Sequence, residues 1–154
     1  MKKIEIRCHV IIVDDDMEQF VLSKKWSFSG VANGRYYAKL STGVKLHQII
    51  VGKVPPGYCI DHINGNGLDN RRENLRICTY SQNNMNHGPS IKRRSSPYRG
   101  VVFNKKRNKY EAHIKIGGKM TYIGLFSTAK EAAVAYNKMA KKHFGEFAWV
   151  NPIC

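Results

Sequence analysis

Residues 58–86 bring together side chains that could hydrolyse a phosphodiester bond. An acid and a base are adjacent at Asp61 and His62, an asparagine follows at Asn74, and a pair of carboxamides follows at Asn83 and Asn84. Such hydrolysis needs a base for water, a hard-cation site beside the phosphate and a support that fixes the base. This one segment contains groups suited to all three tasks.

The pattern of the segment predicts a β-hairpin followed by a helix. Residues 59–63 and 74–79 have strand character, and the period of two places Asp61 and His62 on opposite faces. The residues between these strands are rich in Asn, Gly and Asp, which favour turns. Ser81 is the predicted N-cap of a short helix that carries Asn83.

The run DHINGNGLDNRRENLR, followed by SQNNMN, resembles the HNH nuclease motif of His-Me finger enzymes. It is most similar to the phage and intron-encoded homing endonucleases, in which Asp-His is followed by Asn twelve residues after the His and by another Asn nine residues later. Asp61, His62, Asn74 and Asn83 match this pattern, and the motif covers about a fifth of the chain.

The resemblance implies a ββα-metal motif and a role for each matching residue. His62 would be the general base, and Asp61 with the amide oxygen of Asn83 would hold one divalent ion, Mg²⁺ or Mn²⁺. Asn74 would brace the loop and orient the His62 ring. The arginines that could grip flanking phosphates are Arg71, Arg72 and Arg76. The alternative is that these residues are only turn and capping residues of an inactive fold.

The cysteine pattern differs from that of zinc-binding HNH proteins, which frame the motif with CxxC pairs. The four cysteines, at positions 8, 59, 78 and 154, form no such pair. We expect free cysteines in an intracellular protein, located in the cytoplasm of a bacterial or phage-infected cell.

The chain is strongly basic, with a net charge of +15 over 154 residues, and this favours a polyanionic partner. No apolar run is long enough to span a membrane, so we expect no membrane partner. Residues 97–154 carry eleven basic and three acidic residues, a net charge of +8, and are the predicted electrostatic anchor for DNA.

The region before the motif reads as β-rich. Residues 4–13 alternate as one half-buried strand, and strands are predicted at 26–28, 35–40 and 44–46. The run Asp14–Asp16 could bind a metal ion or form a solvated turn that caps a short helix at 17–23. His47 could touch phosphate, support the candidate site or simply pack against the hairpin.

Residues 88–97 read as an extended linker rich in Gly, Pro and Ser. Its basic residues could track a DNA backbone or form a solvated charge run; they are Lys92, Arg93 and Arg94.

Three strands are predicted in residues 98–126, with a hairpin turn at Gly117-Gly118. A capping box from Thr128 to Glu131 begins a helix whose alanines could lie close on the apolar face of the sheet. The other face is left polar.

This region resembles the APETALA/ethylene-response-factor DNA-binding domain through YRGV at 98–101, the IGxF turn at 123–126, AAxAY at 132–136 and Asn151. The resemblance implies a sheet that enters the major groove. The positions that match contact residues are Arg99, Val102, Asn104, His113, Lys115, Met120 and Tyr122. Several hold Arg or Trp in plant members, so plant sequence preference does not transfer, and Met120 and Tyr122 could be incidental surface residues.

These observations predict an α+β protein with four regions: β-rich support (1–55), the HNH motif (56–87), a basic linker (88–97) and a DNA-binding domain (98–152). The expected function is a site-specific, metal-dependent DNA endonuclease of the homing type, as in intron homing. It would act on double-stranded DNA as a monomer and nick one strand. The alternatives are a non-catalytic DNA-binding regulator and an RNA-binding splicing cofactor, though the latter lacks a stacking-platform signature.

Overall fold

The computed structural model describes residues 1–30, 35–88 and 95–153. The chain folds as two compact units, Met1–Asn83 and Asn84–Cys154. In the described part, the first unit contains three two-stranded antiparallel sheets and the second a three-stranded antiparallel sheet, each unit with short or single helices. This mixture agrees with the predicted α+β class. The predicted linker residues Lys92, Arg93 and Arg94 lie outside the described residues.

The N-terminal segment is a hairpin, so the prediction of one strand over residues 4–13 was wrong. Strand β1 (Lys2–Ile6) pairs with β2 (His9–Val13). In the turn between them Arg7 has a φ of 57°. Glycine or asparagine, which would predict such a turn, is absent there. After this turn the residues of β2 that face the core are Ile11 and Val13, whereas Val10 is exposed.

The first unit continues with a 3₁₀ turn (Asp15–Met17), helix α1 (Glu18–Leu22) and the hairpin β3 (Ser27–Gly30) with β4 (Tyr36–Lys39). Residues 44–46, predicted as a strand, instead lead into helix α2 (Leu46–Val51). Its first residue, Leu46, is buried in the core. The buried members of this core are Ile4, Ile11, Val13, Val21, Trp26, Ala38, Leu46 and Leu68.

The predicted hairpin and helix of the HNH segment are present. Strand β5 (Tyr58–His62) pairs with β6 (Leu75–Thr79), and helix α3 (Tyr80–Met85) follows β6 directly. The cap is Thr79 rather than Ser81. Thr79 Oγ1 accepts a hydrogen bond from the backbone N–H of Gln82, and the Gln82 side chain accepts one from the Thr79 N–H at 2.9 Å.

The N-terminal hairpin holds the long loop of the HNH segment. Ile12 N donates to Leu68 O at 2.9 Å, and Asn70 N donates to Ile12 O at 2.7 Å. Leu68 is also part of the first-unit core. Region 1–55 therefore supports the loop through backbone pairing as well as packing.

The second unit contains β7 (Val101–Asn104), β8 (Lys109–Ile116), β9 (Lys119–Phe126) and α4 (Ala129–Phe144). Gly117 and Gly118 both have positive φ, as the predicted hairpin turn requires. Thr128 caps α4 in the predicted capping box with Glu131. Ala132, Ala133 and Ala140 are fully buried, so the helix lies close on the sheet. Among the described helices, none is long and apolar enough to cross a membrane.

Candidate functional site

His62 lies at the end of β5 and is only 5% exposed. Its Nε2 lies 3.4 Å from Oδ1 of Asn70. An oxygen acceptor at this position favours the tautomer with the proton on Nε2, so Nδ1 is the nitrogen that can accept a proton. The His47 ring packs edge-on against His62 at 4.9 Å between centroids, and Tyr37 lies 5.7 Å away.

The surroundings of His62 favour its neutral form. Burial lowers the pKa of its imidazole, and this effect outweighs the hydrogen bond to Asn70 and the charges of Asp61 and Asp69, which act in the opposite direction. Arg35 lowers the pKa further. A neutral imidazole is the form that can take a proton from water, so the environment suits a general base.

His47, whose role the sequence left open, is buried at the start of α2 and packs against both His62 and Tyr37. Burial lowers its pKa to about 3, with smaller contributions from His62 and Lys45. It is therefore neutral at physiological pH. The structure favours the two alternatives in which His47 supports the hairpin and the candidate site.

Asp61 is buried on β5 and pairs with Arg76, the residue opposite it on β6. Arg76 Nε and Nη2 donate to Oδ2 of Asp61 at 3.0 and 2.8 Å. The arginine predicted to grip a flanking phosphate is thus engaged with the candidate metal ligand. The Arg76 guanidinium therefore places positive charge beside Asp61, the carboxylate that would bind a metal ion.

The side-chain oxygens of Asp61 and Asn83 suit a hard divalent cation. Asn83 Nδ2 donates to Cys59 Sγ at 3.5 Å, and Cys59 lies two residues before Asp61, on the same face of β5. The hairpin and α3 therefore bring a carboxylate and a carboxamide to one face, and these oxygens are the ligands that Mg²⁺ and Mn²⁺ prefer. Among the described residues there is no cluster of three His, Cys, Asp or Glu side chains.

Asn74 connects parts of the loop through three hydrogen bonds. Its Oδ1 accepts from Asn64 N at 3.0 Å, and its Nδ2 donates to Asp69 O at 2.7 Å and to Asn64 Oδ1 at 3.1 Å. The carboxamide beside the His62 ring, however, belongs to Asn70, which sequence reasoning treated only as a turn residue. Asn70 Nδ2 is buried without a hydrogen-bond partner among the described residues, so the side-chain hydrogen bond of Asn70 is the one to His62.

The other two predicted phosphate-gripping arginines are also ion-paired. Arg71 binds Asp69 through two nitrogens, at 2.9 and 2.8 Å, and contacts Glu73. Arg72 binds Asp14 and Asp16, the run whose role was open between a metal site and a turn. These carboxylates therefore anchor Arg72 to the N-terminal segment, and the turn interpretation fits the structure.

Most of the residues that match DNA-contact positions, here called reader residues, lie on the sheet face away from α4, which we call the reader face. Val102, Met120 and Tyr122 are exposed, and Tyr122 packs on the His113 ring at 5.4 Å. Glu111 contacts two of the reader residues although it is not among the predicted contact positions. Its carboxylate accepts from Asn104 Nδ2 at 2.7 Å and lies 3.1 Å from His113 Nε2.

Arg99 differs from the other predicted reader residues. Its guanidinium donates to the backbone oxygens of Met85 at 2.7 Å and Asn84 at 3.1 Å, and also to that of His87. These bonds satisfy carbonyls at and just beyond the end of α3. Arg99 thus serves the fold of the second unit, which argues against the predicted base contact. Exposed Lys115 remains on the reader face.

Comparisons with known proteins agree with this geometry. Residues 45–85 match the family model of HNH endonucleases. An uncharacterised HNH endonuclease of Acanthamoeba polyphaga mimivirus is 40% identical over 105 residues, which cover 68% of this chain and 53% of that protein. Protein 3.8 of Escherichia phage T7 is 26% identical over 114 residues, or 74% of this chain and 93% of that protein.

APETALA2-like protein 2 of Oryza sativa is 47% identical over 58 residues, 38% of this chain. The chain spans about half the length of the mimivirus relative and 13% of the rice protein. No solved structure matches the chain significantly. The family model covers the segment that holds Asp61, His62, Asn74 and Asn83, so residues 45–85 are similar to HNH endonucleases.

Proposed function

We propose that this protein is a site-specific, metal-dependent DNA endonuclease that hydrolyses phosphodiester bonds, of the type used in homing. The observation that carries the proposal is His62, which is buried, held neutral and adjacent to Asp61 within the HNH segment.

In the proposed mechanism, Nδ1 of His62 takes a proton from the attacking water. Asn70 fixes the tautomer, while His47 and Tyr37 limit rotation of the ring and keep bulk water away from it. Asp61 and Asn83 would hold one divalent ion, Mg²⁺ or Mn²⁺. When bound, the ion supplies positive charge to the scissile phosphate and the leaving 3′ oxygen.

Arg76 has a part in the same step. Its guanidinium occupies Oδ2 of Asp61, so it balances the buried carboxylate whenever the carboxylate has no metal ion. Arg76 therefore balances the charge of the candidate metal ligand from the neighbouring strand.

The second unit is the proposed DNA reader. It contains the larger share of the positive charge, and its exposed sheet face carries residues that can contact base edges. Likeness to a plant protein over 58 residues supports this assignment. We infer that a monomer binds double-stranded DNA and nicks one strand per binding event.

A supercoiled-plasmid nicking assay tests the function. The wild-type protein should convert supercoiled to open-circular DNA with Mg²⁺ or Mn²⁺ and not with a chelator. His62→Ala should lower the rate by about 10²–10⁴-fold, since a general base contributes that much, while DNA binding stays near wild type. Wild-type protein that binds DNA but leaves it intact with both ions would indicate a non-catalytic regulator.

Removal of the metal ligands provides a second test. Asp61→Ala should be more severe than Asn83→Ala, because Asp61 is the charged member of the pair. Calorimetric titration of Mn²⁺ should show weaker binding in both variants even without DNA. Wild-type Mn²⁺ affinity in both variants would place the metal elsewhere.

A further inference from the structure

A pocket of about 470 Å³ opens beside the candidate site, within the first unit. Strand β4, helix α2 and the residues after it form one side, and β5 and α3 form the other. Two of its lining residues connect it to the chemistry: Asn83 is the candidate metal ligand on α3, and His47 packs against His62. A molecule in this pocket would therefore lie next to the reacting centre.

The pocket is cationic. Lys45 and Lys53 line it, and no carboxylate does. Neither lysine has a carboxylate partner among the described residues, whereas Arg71, Arg72 and Arg76 all do. Lys45 Nζ lies over the Tyr37 ring at 4.8 Å, which fixes its direction without neutralising its charge. The pocket that contains Asn83 thus carries uncompensated positive charge, which suits an anion.

Two tyrosines add flat apolar surface to the same pocket. Tyr58 and Tyr80 line it and are 44% and 62% exposed. Lysines beside exposed aromatic rings are the combination with which proteins hold a nucleotide, since the cations bind phosphate and the rings stack on sugar or base.

We propose that this pocket is a subsite for the DNA strand next to the scissile phosphodiester. Lys45 and Lys53 hold a backbone phosphate of the flanking nucleotide, and Tyr58 and Tyr80 contact its sugar and base. The subsite rests on the proposed function, and it replaces Arg71 and Arg72 as the phosphate grip of the nuclease unit.

The test is the salt dependence of DNA binding by the full-length protein, measured by fluorescence anisotropy with a 30-base-pair duplex in chelator. Each phosphate contact contributes about 0.9 to the slope of log affinity against log salt. The double variant K45A/K53A should therefore lower the slope by about 2. K45R/K53R, which keeps both charges, should retain the wild-type slope.

K24A/K25A is the matched control, because it removes the same charge from two exposed lysines of the same unit that lie outside the pocket. Its slope should equal that of the wild type. Equal slopes for the pocket and control variants would overturn the proposal. Inorganic phosphate at millimolar concentration should compete no better than its ionic strength predicts; specific competition would make the pocket a small-phosphate site instead.

The tyrosines are tested separately with a duplex that carries one unpaired nucleotide. Tyr58→Ala and Tyr80→Ala should each weaken its binding by about tenfold, while the Phe variants should not. Because these assays need no cleavage, their result is independent of the nicking assay. If the protein nicks DNA but the lysine variants keep the wild-type slope, the subsite is wrong and the proposed function stands. If the lysine variants lower the slope but the wild-type protein does not nick DNA, the subsite stands and the proposed function is wrong.

Discussion

His62 owes its chemical state to neighbours that come from three separate parts of the first unit. Asn70 is on the loop, His47 is on α2 and Tyr37 is on β4. The sequence predicted roles for His62, Asp61, Asn74 and Asn83 from their types and local spacing. It missed Asn70, since an asparagine in a turn-rich run looks like a turn residue until the loop is folded onto the ring.

The variant Asn70→Leu should show the value of that contact. The shape is nearly kept, but the oxygen that fixes the His62 tautomer is lost, so nicking should slow by about 10- to 100-fold. DNA affinity should stay unchanged. Asn84→Ala, an exposed asparagine of α3, is the control. Equal rates for Asn70→Leu and the wild type would remove Asn70 from the mechanism.

The pH profile of nicking follows from the lowered pKa of His62. Because burial lowers this pKa below the ordinary 6.5, the base stays unprotonated at pH 7 and as the pH falls past 6.5. Activity should therefore hold to below pH 6.5 and be lost as the pH falls through the lowered value. The measurement is the nicking rate at subsaturating DNA from pH 4.5 to 8. An acid limb centred above 6.5 would contradict the buried, neutral histidine.

At the scale of elements, the junction of β6 and α3 decides where Asn83 lies. Thr79 is both the last residue of the strand and the cap of the helix, so no linker separates them. The sequence predicted both elements but misplaced the cap by two residues. The Gly117-Gly118 turn and the Thr128 cap were predicted correctly because each depends only on residues close together in the sequence. The N-terminal hairpin was not, since its turn has Arg7 rather than glycine or asparagine at a positive φ.

Removal of the Thr79 cap should loosen α3. Thr79→Val keeps the shape but loses the oxygen that accepts the Gln82 N–H, at a cost of about 1 kcal/mol. Urea unfolding should show a lower midpoint, and Mn²⁺ affinity should fall with it because Asn83 is on α3. Thr42→Val, on an exposed loop, should change neither. A lower midpoint with unchanged Mn²⁺ affinity would separate the cap from the metal site.

At the scale of the whole molecule, the two units differ in net positive charge. In the first unit, Arg71, Arg72 and Arg76 are neutralised by carboxylates. Residues 97–154 carry net +8 of the +15. Net charge could be read from composition, but which cations are available to DNA could not, because ion pairing depends on how Asp14, Asp16 and Asp69 fold against the arginines.

Truncation before Ser96 should therefore separate chemistry from recognition. The shortened chain keeps the HNH segment and its metal ligands, so it should still nick DNA, provided circular dichroism shows that it is folded. It should lose affinity, salt dependence and site preference, since the reader face is gone. Cleavage mapping and binding isotherms at three salt concentrations measure this. The same site with the same slope would assign recognition to the first unit.

The pairing of Ile12 with the loop at residues 68–70 has a consequence for how residues 45–85 can be moved into another protein. The family resemblance begins at residue 45, yet the backbone that holds Asn70 beside His62 belongs to β2. A transplant of residues 45–85 into another protein would carry the motif and leave behind its support. Fusions that keep this support should instead retain residues 1–83 together with the end of α3 at Met85.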